Sequence, residues 1–148
     1  MSKPADLSFA LTLYVRDHCL CMHVRRAARA IARRYDEALR PLRLTNGQFS
    51  LLMSLNRPHP ASMTDVAHLL AMDRTTLTAN LKPLERRGLI QVAVDAKDKR
   101  GRSLNLTEAG RELLARAVPV WEQAQAENAA LVTSTDADHL RAVLRALS

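Results

Sequence analysis

The densest run of chemically capable side chains is His18-Cys19-Leu20-Cys21-Met22-His23. Two imidazoles and two thiols within one short run invite a metal-site reading. Helical spacing argues against it. On a helix His18 and Cys21 share one face and Cys19 and His23 another, so no face presents three ligands, whereas a structural zinc is held by four. The chain has only these two cysteines, so no distant thiol is available to staple the fold. On a helix their side chains diverge by about 200° and do not bridge each other. No metal and no cofactor is expected, and a reducing cytoplasm is the simplest setting. Enzymatic chemistry has no foothold: there is no Gly-rich phosphate loop, no nucleophile elbow and no HExxH, and the chain holds 4 glycines in all.

The remaining chemistry is cationic. The net charge is +7, and it is unevenly spread. Arg16 to Arg43 and Arg74 to Arg102 are each strongly basic, while the rest of the chain is net acidic. Two basic blocks point to a polyanionic partner. Within the second block, Ser62 to Arg102 reads as helix, turn, helix, strand and basic hairpin. The second of these helices has an apolar stripe of Leu77, Leu81, Leu84 and then Gly88. At about 100° per residue, Thr75, Ala79, Lys82 and Arg86 fall on the opposite face. That face is small and hydroxylated at its start and cationic towards its end, which suits base edges first and phosphates later. An ordinary solvated helix would look similar. The hairpin shifts the balance, because Lys97, Lys99, Arg100 and Arg102 suit phosphate and groove contact rather than the core of a protein interface. The alternative from another class is a winged-helix protein-interaction module without specific DNA binding.

These residues need elements to hold them. With 148 residues, 47% hydrophobic and 3% aromatic, one mostly helical domain is expected. Residues 1–10 read as a loosely packed lead-in with no secretory signal. No apolar run reaches membrane-spanning length. A long helix is expected from about Leu11 or Asp17 to Arg40, with a seam of Cys21, Val24, Ala28, Ile31, Tyr35, Ala38 and Leu42. Thr45 and Gln48 form a capping box, with Leu44 and Phe49 as its hydrophobic staple. Phe49, Leu52, Met53 and Leu55 then face inward. After the Arg57-Pro58-His59-Pro60 loop, Ser62 caps a helix whose Val66, Leu69 and Leu70 face inward. Asp73 caps the next helix, whose phase persists across Pro83. Leu89 to Val94 and Arg102 to Leu106 read as strands around the Asp95–Gly101 turn. Thr107 caps a long helix with Leu113, Leu114, Ala117, Val120, Trp121, Ala124 and Leu131 on its apolar side, kinked at Pro119. Thr135 caps a last short helix that must dock to persist.

In order and spacing this pattern resembles the multiple-antibiotic-resistance regulator (MarR) family. Asp73-Arg74-Thr75-Thr76-Leu77-Thr78, closed by Leu84-Glu85-Arg86-Arg87-Gly88-Leu89-Ile90, is similar to the family's recognition helix. Asp95, Asp98 and Arg100, followed by Leu106-Thr107-Glu108-Ala109-Gly110, are similar to its wing and the start of its dimer helix. The resemblance implies a mostly α fold with a small β wing: a winged helix-turn-helix over 45–107, with dimerisation helices over 11–43 and 108–148. It implies a cytoplasmic homodimer that binds a pseudo-palindromic duplex operator and regulates transcription, most often as a repressor, released by a small-molecule or oxidant effector. Arg74, Thr75, Thr76, Thr78, Ala79, Lys82 and Arg86 would enter the major groove. Lys97, Lys99 and Arg102 would support Arg100 in the minor groove. Two departures stand out: many members carry basic residues where this chain has Ala79 and Pro83, so the operator does not transfer from relatives.

Cys21 also resembles the sensing cysteine of the organic-hydroperoxide-resistance branch in its distance from Gln48, and Tyr35 resembles a tyrosine that holds the thiolate there. Fourteen helical residues span about 21 Å, so Tyr35 would reach only the Cys21 of a partner subunit. The branch's second tyrosine is absent, with Arg25 in its place. The plainer reading makes Cys21 a small core residue on the seam.

Overall fold

The computed structural model describes residues 7–148. Backbone proximity divides the chain into two compact units, one ending at Arg34 and the other running Tyr35–Ser148. Residues 1–6 of the anticipated lead-in lie outside the described residues, and Phe9 and Ala10 already belong to a helix.

The single N-terminal helix is in fact two. Helix α1 spans Phe9–His18 and α2 spans Leu20–Leu39. Between them Cys19 is extended, with ψ of 106°. Histidine and cysteine are weak helix formers. Two imidazoles also take main-chain carbonyls here: His18 Nδ1 lies 2.8 Å from the Tyr14 oxygen and His23 Nδ1 2.8 Å from the Cys19 oxygen. The divergence of Cys19 and Cys21 expected on one continuous helix therefore does not apply. The expected seam also divides. Cys21, Val24, Ala28 and Ile31 are exposed, whereas Tyr35, Ala38 and Leu42 are half-buried.

In the second unit the caps follow from the sequence. Helix α3, Asn46–Ser54, starts on the reciprocal Thr45–Gln48 box. Leu44 and Phe49 are both buried beside it. Helix α4 is Met63–Leu69, capped by Ser62; α5 is Arg74–Arg86, capped by Asp73 and continuous through Pro83. Two inward assignments fail. Met53 is 40% and Leu69 60% exposed, and Leu51 is buried instead. Helix α3 contacts α4, α5 and α6 (Glu108–Ala130). A helix with neighbours on several sides buries a broad surface rather than one stripe.

The sheet is three-stranded and antiparallel, in the order β1 (Ala61–Ser62), β3 (Arg102–Leu106), β2 (Ile90–Val94). Strand β1 lies beyond the expected pattern, because two residues carry no periodic signal. It pairs Ala61 with Leu104 and Ser62 with Ser103. The hairpin registers Ile90 on Leu106 and Val94 on Arg102. Leu104, Leu106 and Ile90 enter the core with Leu39, Leu52, Leu77 and Leu84.

Helix α6 begins at Thr107, whose hydroxyl donates to the Gly88 carbonyl at 2.6 Å and accepts from the Gly110 amide at 3.1 Å. A Cβ on Gly110 would sit 2.1 Å from the Leu89 carbonyl oxygen. Only glycine lets the first turn approach the strand this closely. Along α6, Leu113, Leu114, Ala117 and Ala124 are buried, but Leu131 is 58% exposed. Helix α7, Ala137–Arg145, is capped by Asp136 rather than Thr135, with the His139 amide donating to its carboxylate at 2.7 Å. Aspartate caps at least as well as threonine, so the start moves one residue. No residue of α7 is buried, nor any of α1.

Candidate nucleic-acid interface

Helix α5 is held by its apolar side. Leu77, Leu81 and Leu84 are buried, fixing which residues point away from the core. Arg74, Thr75, Thr76, Thr78, Ala79, Lys82 and Arg86 are all exposed. The hydroxyls are not equivalent. Thr76 donates from its amide and its hydroxyl to the two oxygens of Asp73, each at 2.8 Å. Those bonds hold the Asp73 carboxyl below its ordinary range. Thr78 donates to the Arg74 carbonyl at 2.8 Å. Thr75 makes no side-chain hydrogen bond among the described residues. Thr76 therefore builds the helix start, whereas Thr75 offers a free donor.

The neighbouring Arg87 was not singled out in the sequence. Its Nη1 donates to the Arg43 carbonyl at 2.7 Å, and Arg43 is in the left-handed region with φ of 56°. Arg87 is a structural cation, clamping the turn that precedes α3. No sequence signal separates it from Arg86; only the tertiary contact does.

In the wing the acidic residues serve the turn. Asp95 accepts from the Lys97 amide at 2.8 Å and Asp98 from the Arg100 amide at 3.0 Å. The Gly101 amide donates to the Asp98 carbonyl at 2.9 Å, and the Asp95 amide to the Gly101 carbonyl at 3.1 Å. Carboxylates bonded to backbone amides in this way shape the loop as Asx-turns. Among the described residues, Lys97, Lys99, Arg100 and Arg102 form no ion pair. All four are exposed, and Arg102 donates to the Gly101 carbonyl at 3.2 Å. The wing thus combines a stiffened turn with cations left to solvent, as contact with phosphate requires.

Tyr35 donates its hydroxyl to Gln125 Oε1 at 2.5 Å. Burial holds that hydroxyl above its ordinary range. Within the chain Cys21 is exposed and Cys19 partly covered. One further feature is a cavity of about 420 Å³ lined by Phe49, Ser50, Met53, Ser54, Leu69, Val118 and Trp121. Phe49 and Trp121 stack beside it, with centroids 6.0 Å apart. Met53 and Leu69, missing from the core, line this space.

Comparison with known proteins follows the geometry. Residues 44–101 match the family model described as "MarR family". The curated regulator TtmR of Methylorubrum extorquens is 37% identical over 97 residues, which cover 66% of this chain and 50% of TtmR. The chain spans about half the length of the curated relatives it matches first. Among solved structures it is similar to the M. tuberculosis transcriptional regulator MosR in complex with DNA, with a TM-score of 0.80 and 41% identity over 88% of this chain and 93% of that one. It is also similar to Bordetella bronchiseptica BpsR, with a TM-score of 0.74 and 27% identity over 84% and 94% of the two chains. The winged helix built around α5 and the β2–β3 hairpin is thus matched both by a sequence model and by a near-complete structural relative: the chain belongs to the MarR family.

Proposed function

We propose that the chain is a sequence-specific, duplex-DNA-binding regulator of transcription that works in the cytoplasm as a homodimer. One observation carries the reading. The exposed face of α5 runs from the free hydroxyl of Thr75 to Lys82 and Arg86, beside a wing whose four cations form no ion pair among the described residues. Each subunit would lay residues 74–87 in the major groove, with Thr75 at base edges and Lys82 and Arg86 at phosphates. Arg100 would reach the minor groove, flanked by Lys97, Lys99 and Arg102. The similarity to MosR, solved with DNA, supports this assignment. Dimerisation would bury the exposed Val24–Ile31 part of the α2 seam and the apolar side of α7, where Val143 and Leu144 are 46% and 43% exposed.

As a repressor it would release the operator when an effector favours another spacing of the two heads. The cavity beside Trp121 suits a small, flat, largely apolar molecule, since its lining is apolar apart from two serines. BpsR, whose DNA binding is regulated by 6-hydroxynicotinic acid, supports a ligand of that size class. Oxidation of Cys21, on the same stripe as Val24, Ala28 and Ile31, is the second route to release.

Binding-site selection followed by anisotropy titration tests the core of the proposal. An enriched pseudo-palindrome with half-sites about 10 bp apart is expected. The double variant Arg100→Ala/Lys82→Ala should bind it more weakly and with a shallower salt dependence, by about one unit for each lost phosphate contact. No enrichment, or an unchanged salt slope in that variant, would overturn the groove assignment.

A further inference from the structure

Helix α2 carries a second charged surface that the winged helix does not use. Between Asp17 and Asp36 the chain has no acidic residue and five arginines: Arg25, Arg26, Arg29, Arg33 and Arg34. All five are exposed, and none forms an ion pair among the described residues. The acids that follow are engaged elsewhere. Asp36 accepts from the amide and side chain of Asn46, and Glu37 pairs with Arg40. At about 100° per residue, Arg25, Arg26, Arg29 and Arg33 share an arc of roughly 100°, on the side of the helix away from Val24, Ala28 and Ile31.

This is not the pattern of a merely solvated face. Solvated helical faces alternate charge sign, so that i,i+4 neighbours attract. Here Arg25–Arg29 and Arg29–Arg33 are like-charge i,i+4 pairs, which oppose the helix they occupy. An anionic partner removes that repulsion. The chemistry specifies the partner further. Every cation on the stripe is arginine, whose planar guanidinium takes phosphate oxygens in pairs. No Phe, Tyr or Trp lies between Tyr14 and Tyr35, so there is no platform on which unpaired bases could stack. Arg25, Arg26 and Arg29 also line a shallow cleft with Cys19, Cys21 and Met22. With a helical rise of about 1.5 Å per residue, Arg25, Arg29 and Arg33 recur about every 6 Å. Their span of about 12 Å faces three or four phosphates of one strand, which come about every 3.4 Å along the duplex axis.

We propose that the Arg25–Arg29–Arg33 face of α2 is a second, sequence-independent duplex-binding surface that grips the phosphodiester backbone. It adds to the affinity of the whole chain for any duplex without changing which sequence is preferred.

The test uses the full chain and a duplex of random sequence, titrated across a salt series. The triple variant Arg25→Gln/Arg29→Gln/Arg33→Gln should lower the slope of log K against log salt by about 2–3 units, at about 0.9 per phosphate contact. Its preferred sequence in binding-site selection should be that of the parent. The charge-conserving Arg25→Lys/Arg29→Lys/Arg33→Lys variant should keep most of the slope. A parental slope in the glutamine variant overturns the proposal, as does equal loss in the lysine variant, which would mean the helix itself was disturbed. Polyglutamate serves as the second probe. If it binds the parent and not the glutamine variant, while the duplex slope is unchanged, the face serves an acidic protein and the proposal falls. The inference and the operator reading fail separately. A changed slope in the glutamine variant alone keeps the stripe and removes the wing; a changed slope in Arg100→Ala/Lys82→Ala alone does the reverse.

Discussion

Helices α2 and α5 carry the same kind of pattern and meet different fates. Each has an apolar stripe spaced three and four residues apart with cations opposite. In α5 the stripe of Leu77, Leu81 and Leu84 is buried by the chain's own core. In the first half of α2 the stripe of Cys21, Val24, Ala28 and Ile31 stays exposed within the chain. The difference lies in the size of the side chains and in what surrounds them. Leucines on α5, which contacts α4, β2 and α3, pack into the core of the second unit. Small and β-branched residues on a long charged helix supply too little burial to hold it alone, and such a seam suits a second helix. Periodicity marks a face that wants a partner; it does not say whether the partner is in the same chain.

The largest test sets one stripe against the other. Leu84→Ala should cost about 2–5 kcal/mol of folding stability, the range for leucine truncation in a packed core, and the loss should not depend on protein concentration. Ile31→Ala should leave dilute chain almost as stable but weaken self-association, seen as a concentration-dependent midpoint in urea denaturation and a smaller species in sedimentation. Equal, concentration-independent losses in both variants would erase the distinction between the stripes.

Next in size is the backbone packing behind α5. Gly110→Ala forces a Cβ to within 2.1 Å of the Leu89 carbonyl, so β2 and α6 must separate, at about 1–3 kcal/mol. Gly88→Ala meets no atom within 4 Å but keeps a φ of 70°, so about 1 kcal/mol is expected from backbone strain alone. Thermal denaturation should rank Gly110→Ala as the worse of the two. The reverse order would mean that strain, not close approach, governs this junction.

The exposed faces differ too, by less. Thr76→Ala removes a hydroxyl bonded to Asp73 and should lower stability by about 1 kcal/mol or less, as damaged caps do, without altering the preferred operator. Thr75→Ala should leave the melting temperature unchanged and alter base preference at one position of each half-site. Binding-site selection on both variants distinguishes them, and identical sites for Thr75→Ala and wild type would remove Thr75 from readout.

The smallest effect is one of pH. Asp73 is held below its ordinary value of 3.8 by the Thr76 amide and hydroxyl. A carboxyl whose folded value is depressed contributes stability above its unfolded value and loses it as pH falls through the folded one. The stability advantage of wild type over Asp73→Ala should therefore hold at neutral pH and shrink below about pH 3.8. A difference that stays constant down through that range would show that the ionised carboxylate is not what caps α5.

Much of the head was legible because its signals are local. The Thr45–Gln48 box, the Ser62, Asp73 and Thr107 caps and the β2–β3 hairpin each arise within a few residues. A cap depends only on a side chain meeting an amide three residues on, and a hairpin only on alternation around a turn. The exposure of Lys82 and Arg86 likewise follows from phase, because burying leucines on one face of α5 turns the other outward. What the sequence left undecided depends on groups far apart along the chain. Strand β1 exists because β3 had a free edge for Ala61 and Ser62. Met53 and Leu69 line a cavity shared with Val118 and Trp121 of α6, not the core. The break at Cys19, by contrast, sits between His18 and His23, whose rings each approach a main-chain carbonyl four residues back, a local contact that apolar periodicity does not register. Arg86 and Arg87 are adjacent, chemically identical and both exposed, yet only Arg87 clamps Arg43 across 44 residues of chain. Sequence by itself determined which faces are apolar, hydroxylated or cationic, since that is a matter of residue type and helical phase. Tertiary structure alone decided which of those faces found partners, since burial depends on which elements reach the same place.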